Sequence, residues 1–323
     1  MIITNNAAKR FGTVTALDGI SSTIPDGSIY GLVGSNGAGK STFLRLLAGI
    51  YRPDGRTVQM DGGPVYDSPA AKPRIAMVPD ELYFLPGATI RRMADLYAAA
   101  YAGFDRELLG ALCGTFGLDG SRPLHTFSKG MRRQAAFILA LACQTEYLML
   151  DETFDGFDPI LRNLAKRLVY DAVSDRGVTV VLTSHSLREL EDTCDQLALL
   201  HRGGLVLQSD VDSLKTTLCK VQIVIQQPYD RAHFDPLRLD ILRYTQHGSV
   251  ANMILRGEHE ASLEKLYTMK PLLCEALPLS LEEIFVHEME TLGYAFDDQL
   301  EASLNGGGAA SETGATQQKE AAQ

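Results

Sequence analysis

One stretch of the sequence decides the fold, Gly34-Ser35-Asn36-Gly37-Ala38-Gly39-Lys40-Ser41-Thr42. It has the pattern GxxxxGK[ST] and lies between an apolar run ending at Val33 and a helix-like stretch, Lys40–Leu47. Glycines let backbone N–H groups surround phosphate oxygens, and the following helix adds the positive end of its dipole. Lys40 would reach the β- and γ-phosphates and Ser41 would bind Mg²⁺. The stretch therefore predicts a nucleotide-phosphate site; the alternative is a glycine-rich turn that caps a helix.

The composition around this loop is that of a globular protein. The chain has 323 residues, of which 45% are hydrophobic and 22% charged, so it can bury a large core. A net charge of −10 argues against nucleic acid as a partner. Apolar runs such as 135–143 fall well short of the about 20 residues that span a bilayer. Residues 1–6 lack the basic start of a signal peptide, so we expect a cytoplasmic protein.

The first two thirds of the chain alternate short apolar runs with helix-like stretches. The strand candidates are Ser28–Val33, Arg74–Val78, Tyr147–Leu150, Val178–Thr183 and Gln196–Leu200. Continuously apolar strands bounded by helices are typical of a parallel sheet covered on both faces, so the sequence predicts an α/β fold. Helix-like patterns at Ala88–Ala102 and Arg106–Phe116 indicate a helical insert at about 80–140.

The last third of the chain has a different character. A period-two strand pattern at Lys220–Gln226 and a second strand at Asn252–Arg256 precede helix patterns at Ala261–Met269 and Ser280–Glu290. We therefore expect residues 216–294 to form a small α+β appendage. Residues 295–323 are rich in Gly, Ala, Ser and Gln, and they contribute four of the ten net negative charges. We expect this acidic tail to be disordered.

A second nucleotide element is expected on a buried strand that ends in acidic residues. Tyr147-Leu148-Met149-Leu150-Asp151-Glu152 has this form. Asp151 would hold Mg²⁺, and Glu152 would orient the attacking water or accept its proton. The alternative is an ordinary loop at the end of a strand.

Between these elements lies Phe127-Ser128-Lys129-Gly130-Met131-Arg132-Arg133-Gln134. With the phosphate loop and Leu150-Asp151-Glu152, this segment resembles the signature motif of the ATP-binding-cassette (ABC) ATPases. The resemblance covers residues 2–215 and implies a P-loop NTPase core over 1–215. It also implies a head-to-tail dimer in which ATP lies between the phosphate loop of one subunit and the signature loop of the other.

The resemblance assigns further roles residue by residue. Phe11 matches the aromatic residue that stacks on adenine, although it could instead be a core residue of the first strand. Ser128 and Gly130 match the signature positions that contact the γ-phosphate across the dimer. His185 matches the switch histidine that senses the γ-phosphate, and Asp158 matches the residue of the D-loop that touches the opposite subunit. The ATP-binding set implied in this way is Phe11, Gly34, Ser35, Asn36, Gly37, Ala38, Gly39, Lys40, Ser41, Thr42, Ser128, Gly130 and Asp158.

Two positions depart from the pattern of the family. The usual Gln after the strand near residue 78 is Asp80, which would join Ser41 and Asp151 as a metal ligand but would repel a metal-free phosphate. Nucleotide-free or ADP states would then be favoured over the closed dimer. The second glycine of the usual Leu-Ser-Gly-Gly-Gln is kept, but the first is replaced by Lys129. This side chain either adds charge near the phosphate or is a solvated loop residue. Both departures resemble a bacterial exporter-type branch.

The function expected from these features is ATP hydrolysis, with Glu152 and His185 as catalytic residues and ATP and Mg²⁺ as cofactors. The chain would energise a separate membrane-spanning permease from the cytoplasmic face of the membrane, paired with an identical or a different ABC subunit. The permease would dock on the helical insert around Leu82–Arg92, where the apolar stretch Leu82–Pro86 suits docking, although it could equally pack internally. We expect the appendage to have a regulatory or dimer-contact role. The alternative is that it serves only as structural cover. The alternative functions are a soluble ABC ATPase acting on ribosomes or DNA, and a nucleotide sensor without hydrolysis.

Overall fold

The computed structural model describes residues 1–55, 57–213, 218–257, 259–277 and 279–285. Its centre is a six-stranded sheet with the order β10-β9-β3-β8-β7-β6. The strands are β3 (Ile29–Val33), β6 (Ile75–Val78), β7 (Tyr147–Asp151), β8 (Thr179–Ser184), β9 (Gln196–His201) and β10 (Gly204–Asp210). All neighbouring pairs are parallel except β10, which runs antiparallel to β9.

Both faces of this sheet are buried. In β3, Ile29 and Val33 belong to one apolar cluster, whereas Tyr30 and Leu32 belong to a second cluster on the opposite face. Alternate side chains of a strand point to opposite faces, so a strand covered on both sides must be apolar throughout. This explains the uninterrupted apolar runs of the sequence and brings the carboxyl ends of β3, β7 and β8 to one edge.

An antiparallel sheet covers one side of the core. Its order is β2-β1-β4-β5, with β1 at Ile2–Phe11, β2 at Val14–Ile24, β4 at Val58–Met60 and β5 at Gly63–Pro64. The sequence analysis did not predict these strands. Their burial pattern is irregular, because register shifts interrupt the β1–β2 pairing after Thr4, Ala7 and Lys9. Apolar alternation is therefore broken within each strand.

Helices surround the central sheet. They are α1 (Lys40–Leu47), α2 (Ile90–Ala100), α3 (Arg106–Thr115), α4 (Lys129–Ala142), α5 (Pro159–Arg176) and α6 (Leu187–Glu191). The helices α2 and α3 occupy the region expected to hold the helical insert, and α4 packs against both of them. None of the helices in the described ranges is long and apolar enough to cross a membrane.

The C-terminal part contains a separate antiparallel sheet with the order β12-β13-β11-β14. The elements are β11 (Leu218–Val224), β12 (Asp240–His247), β13 (Val250–Arg256), α7 (His259–Tyr267) and β14 (Leu273–Leu277). One face packs with α7 around Phe234 and Leu266 in a third apolar cluster. The helical turn 281–285 that follows instead places Leu281, Ile284 and Phe285 in the core of the main domain.

The expected strands and helices of the central layer agree with the structure to within one or two residues at each end. The strands β10, β12 and β14 were not predicted. Three of the expected features lie outside the described residues. They are the boundary at 215/216, the end of the helix pattern at Ser280–Glu290 and the whole tail 295–323. The domain limits therefore stay predictions.

Candidate functional site

The phosphate loop joins the end of β3 to the start of α1, and its glycines are required by close packing. A Cβ atom on Gly34 would lie 2.4 Å from the Leu200 carbonyl oxygen, and one on Gly39 would lie 2.7 Å from that of Ala16. Gly39 also has a φ of 107°, which favours glycine. The loop is thereby fixed against β2 and β9. Asn36 and Gly37 lie at its exposed tip, whereas Ala38 is buried.

Lys40 is the first residue of α1, and its side chain is 6% exposed. Its ammonium group donates hydrogen bonds to the backbone oxygens of Gly34 (2.7 Å) and Ser35 (3.4 Å). It also lies 3.2 Å from Glu152 Oε1. The lysine therefore links the phosphate loop to the acidic end of β7, while Thr42 lies half-buried on α1 one residue beyond Ser41.

Asp151 ends β7 and is completely buried. Its Oδ1 accepts hydrogen bonds from the hydroxyls of Ser41 (3.0 Å) and Thr183 (2.8 Å). Its Oδ2 is buried and has no hydrogen-bond partner among the residues that the structure describes. Burial raises the pKa of Asp151, and the hydrogen bonds from Thr183 and Ser41 oppose this effect. A buried carboxylate oxygen without a partner, beside a serine hydroxyl, fits the oxygen ligands that Mg²⁺ prefers.

Glu152 contacts His185 as well as Lys40. His185 Nδ1 lies 2.9 Å from Glu152 Oε2 and 3.7 Å from Asp155 Oδ2. Partial burial alone would lower the pKa of His185, but its hydrogen bond to Glu152 and the charge of Asp155 outweigh burial and raise it. Burial and the charge of Glu152 raise the pKa of Asp155. The two predicted catalytic residues are therefore in direct contact at the carboxyl ends of β7 and β8.

The backbone of Glu152 is unusual, with a φ of 45° that non-glycine residues seldom adopt. Its amide N–H donates to Thr183 Oγ1 at 2.9 Å, and its carbonyl oxygen accepts from the Arg133 guanidinium at 2.9 Å. Arg133, on α4, also donates to the backbone oxygen of Asp155 at 2.9 Å and forms a short ion pair with Asp80.

Asp80 therefore has a partner that its sequence position did not suggest. Its carboxylate contacts Arg133, and its charge contributes to the raised pKa of Asp151, after burial and the opposing hydrogen bonds. The predicted ligands Ser41 and Asp151 contact each other directly, whereas no described hydrogen bond joins Asp80 to either of them. The assignment of Asp80 as a metal ligand stays a prediction.

The residues predicted to act across a dimer lie on other elements. Ser128 is the N-cap of α4 and accepts the N–H of Met131, and Asp158 is the N-cap of α5 and accepts the N–H groups of Ile160 and Leu161. A Cβ atom on Gly130 would lie 2.6 Å from the Gly156 carbonyl oxygen, so the start of α4 packs tightly on the D-loop. None of the hydrogen bonds or ion pairs found in the described ranges joins Ser128, Gly130 or Asp158 to the phosphate loop.

Phe11 lies at the end of β1 with 44% of its surface exposed. It packs edge-on against Tyr51, with ring centroids 5.3 Å apart. It is therefore not a core residue of the first strand, and its ring remains accessible for stacking. Lys129, the first residue of α4, is also exposed.

A second cluster in the site also offers ligand atoms for a cation. One ligand atom from each of Glu152, Asp155 and His185 lies within 4.8 Å of the others. Lys40 already pairs with Glu152, and Arg133 lies 3.9 Å from Asp155 Oδ2. These two positive charges oppose a cation there, so the cluster fits a metal less well than the oxygens of Ser41 and Asp151 do.

Sequence reasoning assigned no role to Thr183, Arg133 or Asp155. Thr183 directly precedes Ser184-His185 at the end of an apolar strand, where a polar residue points to the functional edge of a parallel sheet. Arg133 gave no comparable signal, because an arginine in a helical pattern is most often exposed.

Comparisons with known proteins agree with this geometry. A model of the ABC transporter family matches residues 17–155. The chain is 28% identical over 286 residues to the ABC transporter ATP-binding protein YtrB of Bacillus subtilis, covering 88% of this chain and 97% of YtrB. It is 34% identical over 224 residues to the daunorubicin/doxorubicin resistance ATP-binding protein DrrA of Streptomyces peucetius, covering 67% of each chain. A dimeric ATP-binding cassette, solved in a post-hydrolysis state with ADP and Pi, shares the fold with a TM-score of 0.60. Its sequence is 19% identical, and the match covers 65% of this chain and 99% of that chain.

The fold and the site together define a nucleotide-binding P-loop ATPase. The chain belongs to the ABC transporter ATP-binding proteins, and it is the ATP-binding and ATP-hydrolysing subunit of such a transporter. This membership favours the transport function over a soluble ABC ATPase that acts on ribosomes or DNA.

Proposed function

We propose that Glu152 orients the attacking water and accepts its proton during ATP hydrolysis, with His185 beside it at the γ-phosphate. The observation that carries this proposal is the direct contact of Glu152 with both Lys40 and His185. A base must lie within hydrogen-bond reach of the reacting atoms, and these two residues line the position where the family places the γ-phosphate. The water oxygen bonds to the γ-phosphorus, the bond to the β-phosphate oxygen breaks, and Glu152 takes the proton.

Ser41 and Asp151 are the residues that would hold Mg²⁺, with Asp80 as a further candidate. The buried, unpartnered Oδ2 of Asp151 supports this assignment. When bound, the metal neutralises negative charge on the β- and γ-phosphates. Thr183 keeps the Asp151 carboxylate oriented through its hydrogen bond.

The substitution Glu152→Gln tests the catalytic assignment. We expect ATP turnover to fall by at least about 100-fold, because the amide cannot accept the proton. ATP binding should persist, and a nucleotide-bound dimer should accumulate on size-exclusion chromatography. Glu107→Gln, at an exposed position of α3, is the matched control and should keep full turnover. Rapid hydrolysis by Glu152→Gln would exclude this role.

The ATP-bound form is proposed to be a head-to-tail dimer, built with an identical or a related subunit. Ser128 and Gly130 at the start of α4, and Asp158 at the start of α5, would then complete the site of the opposite subunit. The exposed position of Ser128 and the dimeric cassette with a similar fold support this arrangement. In a Glu152→Gln background, Ser128→Ala should prevent the ATP-dependent dimer while leaving the monomer folded.

A permease is proposed to bind around Leu82–Arg92, and the subunit would then lie at the cytoplasmic face of the membrane. Leu82 and Phe84 pack on the core, whereas Tyr83 is 78% and Leu85 38% exposed. Alternate residues thus anchor the segment and present apolar side chains outward. The strand β6, which precedes this segment, borders a cavity of about 490 Å³ lined by Ile50, Tyr66, Met77 and Tyr101, among others.

Tyr83→Asp tests this docking surface. The exposed aromatic ring makes no contact with the proposed catalytic residues, so ATP turnover by the isolated subunit should stay within about twofold. Co-purification of a polytopic membrane protein from detergent-solubilised membranes should fall, because a charge would be buried in an apolar contact. Tyr267→Asp, at an exposed residue of the appendage, is the control. Equal recovery of the permease with both variants would contradict the proposed surface.

The transported compound is proposed to be a drug, a peptide or a cell-envelope compound moved outward. The resistance protein DrrA supports export as the direction. Cells carrying Glu152→Gln in place of the natural chain should show a lower minimal inhibitory concentration of doxorubicin or of a peptide antibiotic such as bacitracin. Unchanged sensitivity to both classes would argue against drug or peptide export.

The appendage is proposed as an accessory domain, with the cassette ending near residue 215. Its described part forms its own apolar cluster around Phe234 and Met253. Lys220 on β11 also pairs with Glu283 at 2.6 Å, beside the turn that enters the core of the cassette. A regulatory or dimer-contact role is consistent with these attachments.

A further inference from the structure

We infer that Arg133 is a positioning residue that holds the backbone of Glu152 in its left-handed conformation, and that Asp80 is the counter-ion that keeps Arg133 in place. This inference rests on the proposed role of Glu152 in hydrolysis. It assigns Asp80 a structural partner within the subunit, in addition to its predicted place near the metal.

The first observation is the strained backbone of Glu152. Its φ of 45° is one that a side-chain-bearing residue keeps only when its surroundings hold it there. Two contacts do so. The Glu152 N–H donates to Thr183 Oγ1, and the Glu152 carbonyl oxygen accepts from Arg133 Nη1, both at 2.9 Å. This conformation sets the direction in which the Glu152 carboxylate leaves the backbone toward Lys40 and His185.

The second observation is that one guanidinium joins three segments of the chain. Arg133 Nη1 donates to the backbone oxygens of Glu152 and Asp155, and Nη2 contacts the Asp80 carboxylate. Two of these oxygens belong to the loop between β7 and α5 and the third to the segment after β6, so the guanidinium joins both segments to α4. The planar fork of an arginine can serve several fixed acceptors at once, which the point charge of a lysine does less well.

The third observation is the burial of Arg133, whose side chain is 5% exposed. A buried positive charge needs a carboxylate partner. The carboxylate of Asp155 is 3.9 Å away, beyond hydrogen-bond range, whereas that of Asp80 contacts Nη2 directly. A glutamine at position 80 could donate or accept a hydrogen bond but could not neutralise the guanidinium. The pair therefore explains why a carboxylate suits this position in this chain.

Loss of Arg133 should have a distinctive effect on the kinetics of ATP hydrolysis. Arg133 makes no described contact with the phosphate loop, Ser41 or Phe11, so its loss should leave the binding of ATP intact. Glu152 would be misdirected, and misplacing a catalytic group by about 1 Å costs up to about 100-fold in rate. The effect should therefore fall on kcat, with no rise in KM.

Arg133→Gln tests the inference, with Arg132→Gln as the matched control. Arg132 is the preceding residue of α4 and its side chain is exposed. In nucleotide-free protein, hydrogen exchange in the peptide spanning 150–156 should be at least about tenfold faster in Arg133→Gln and unchanged in Arg132→Gln. The kcat for ATP should fall by about 10- to 100-fold in Arg133→Gln, with no rise in KM.

Arg133→Lys keeps the positive charge opposite Asp80 and serves if Arg133→Gln does not fold. It should show the same direction of change in exchange and in kcat. The inference would be overturned if hydrogen exchange at 150–156 were unchanged in a folded Arg133 variant. It would also be overturned if KM changed while kcat did not. The exchange measurement needs no hydrolysis, so it remains decisive even if Glu152→Gln proves that another residue is the base.

Discussion

The Nζ atom of Lys40 lies 3.2 Å from the Oε1 atom of Glu152, and both side chains are largely buried. The cation of the phosphate loop and the proposed catalytic base thus neutralise each other in this structure. If Lys40 binds the γ-phosphate as the sequence predicts, ATP competes with Glu152 for Lys40, and nucleotide binding would be coupled to release of the proposed base.

This competition predicts that Glu152→Gln binds ATP more tightly than the natural protein does. The neutral amide releases Lys40, so affinity should rise by about 3- to 10-fold, since one charge-assisted hydrogen bond contributes on the order of 1–2 kcal/mol. A titration with a fluorescent ATP analogue in EDTA measures affinity without turnover. Glu107→Gln should match the natural protein, and equal or weaker binding by Glu152→Gln would show that the ion pair does not compete with ATP.

Thr183 serves both acidic residues of β7, because it donates to Asp151 and accepts from Glu152. Thr183→Val keeps the shape of the side chain but leaves the N–H of Glu152 without its acceptor. The free energy of unfolding should fall by about 1–3 kcal/mol, and ATP turnover should fall with it. Thr193→Val removes a buried hydroxyl that donates to the Glu189 carbonyl, so it serves as the control. Thr193→Val should lose stability but keep ATP turnover. Equal ATP turnover by the two variants would contradict the role of Thr183.

The hydrogen bond to Glu152 and the neighbouring carboxylates raise the pKa of His185 above its ordinary 6.5, although burial acts in the opposite direction. A group whose pKa is raised by folding stabilises the protein fully below its unfolded pKa and loses that effect as pH rises through the folded pKa. Between about pH 6 and pH 8, the natural protein should therefore lose more stability than His185→Gln. Because His185 is 43% exposed, we expect a difference below about 1 kcal/mol. Urea unfolding at a series of pH values measures it, and parallel pH profiles would refute the assignment.

The close approach of Gly130 to Gly156 predicts that Gly130→Ala is harmful. The added methyl would lie 2.6 Å from a backbone oxygen, so α4 and the D-loop must separate at a cost of about 1–3 kcal/mol. The substitution Gly110→Ala is a matched control, since a Cβ atom there meets nothing within 4 Å. It lies within α3 and should stabilise the protein by about 0.5–1 kcal/mol. Thermal unfolding measures both effects, and a neutral Gly130→Ala would mean that the contact relaxes freely.

The five parallel strands of the central layer could be predicted because they are apolar on both faces, whereas the edge strand β10, which has no buried residue, was missed. The antiparallel strands Ile2–Phe11 and Val14–Ile24 could not be predicted, since register shifts interrupt the alternation of apolar residues along them. The appendage shows the same limit at Asp240–His247, where exposed and half-buried positions alternate without strong apolar contrast. Local periodicity therefore revealed buried strands and missed partly exposed ones.

The site was predictable where local motifs carry the chemistry, as at Lys40 and at Asp151. It was not predictable where chemistry depends on residues distant in sequence, as for Arg133 with Asp80, which are 53 positions apart. Asp158 is an intermediate case. An Asp before a Pro is a sequence signal for the N-cap of a helix, and the structure shows Asp158 capping α5 in this way.

The accessible ring of Phe11 has a practical consequence for spectroscopy. The chain contains no tryptophan, so its ultraviolet emission comes from tyrosine and phenylalanine alone. A single tryptophan introduced as Phe11→Trp would fit an edge position that is already 44% exposed. That indole would be the sole long-wavelength fluorophore of the protein, and adenine stacking on it would quench its emission. The arrival and departure of nucleotide could then be followed in real time without a labelled ligand.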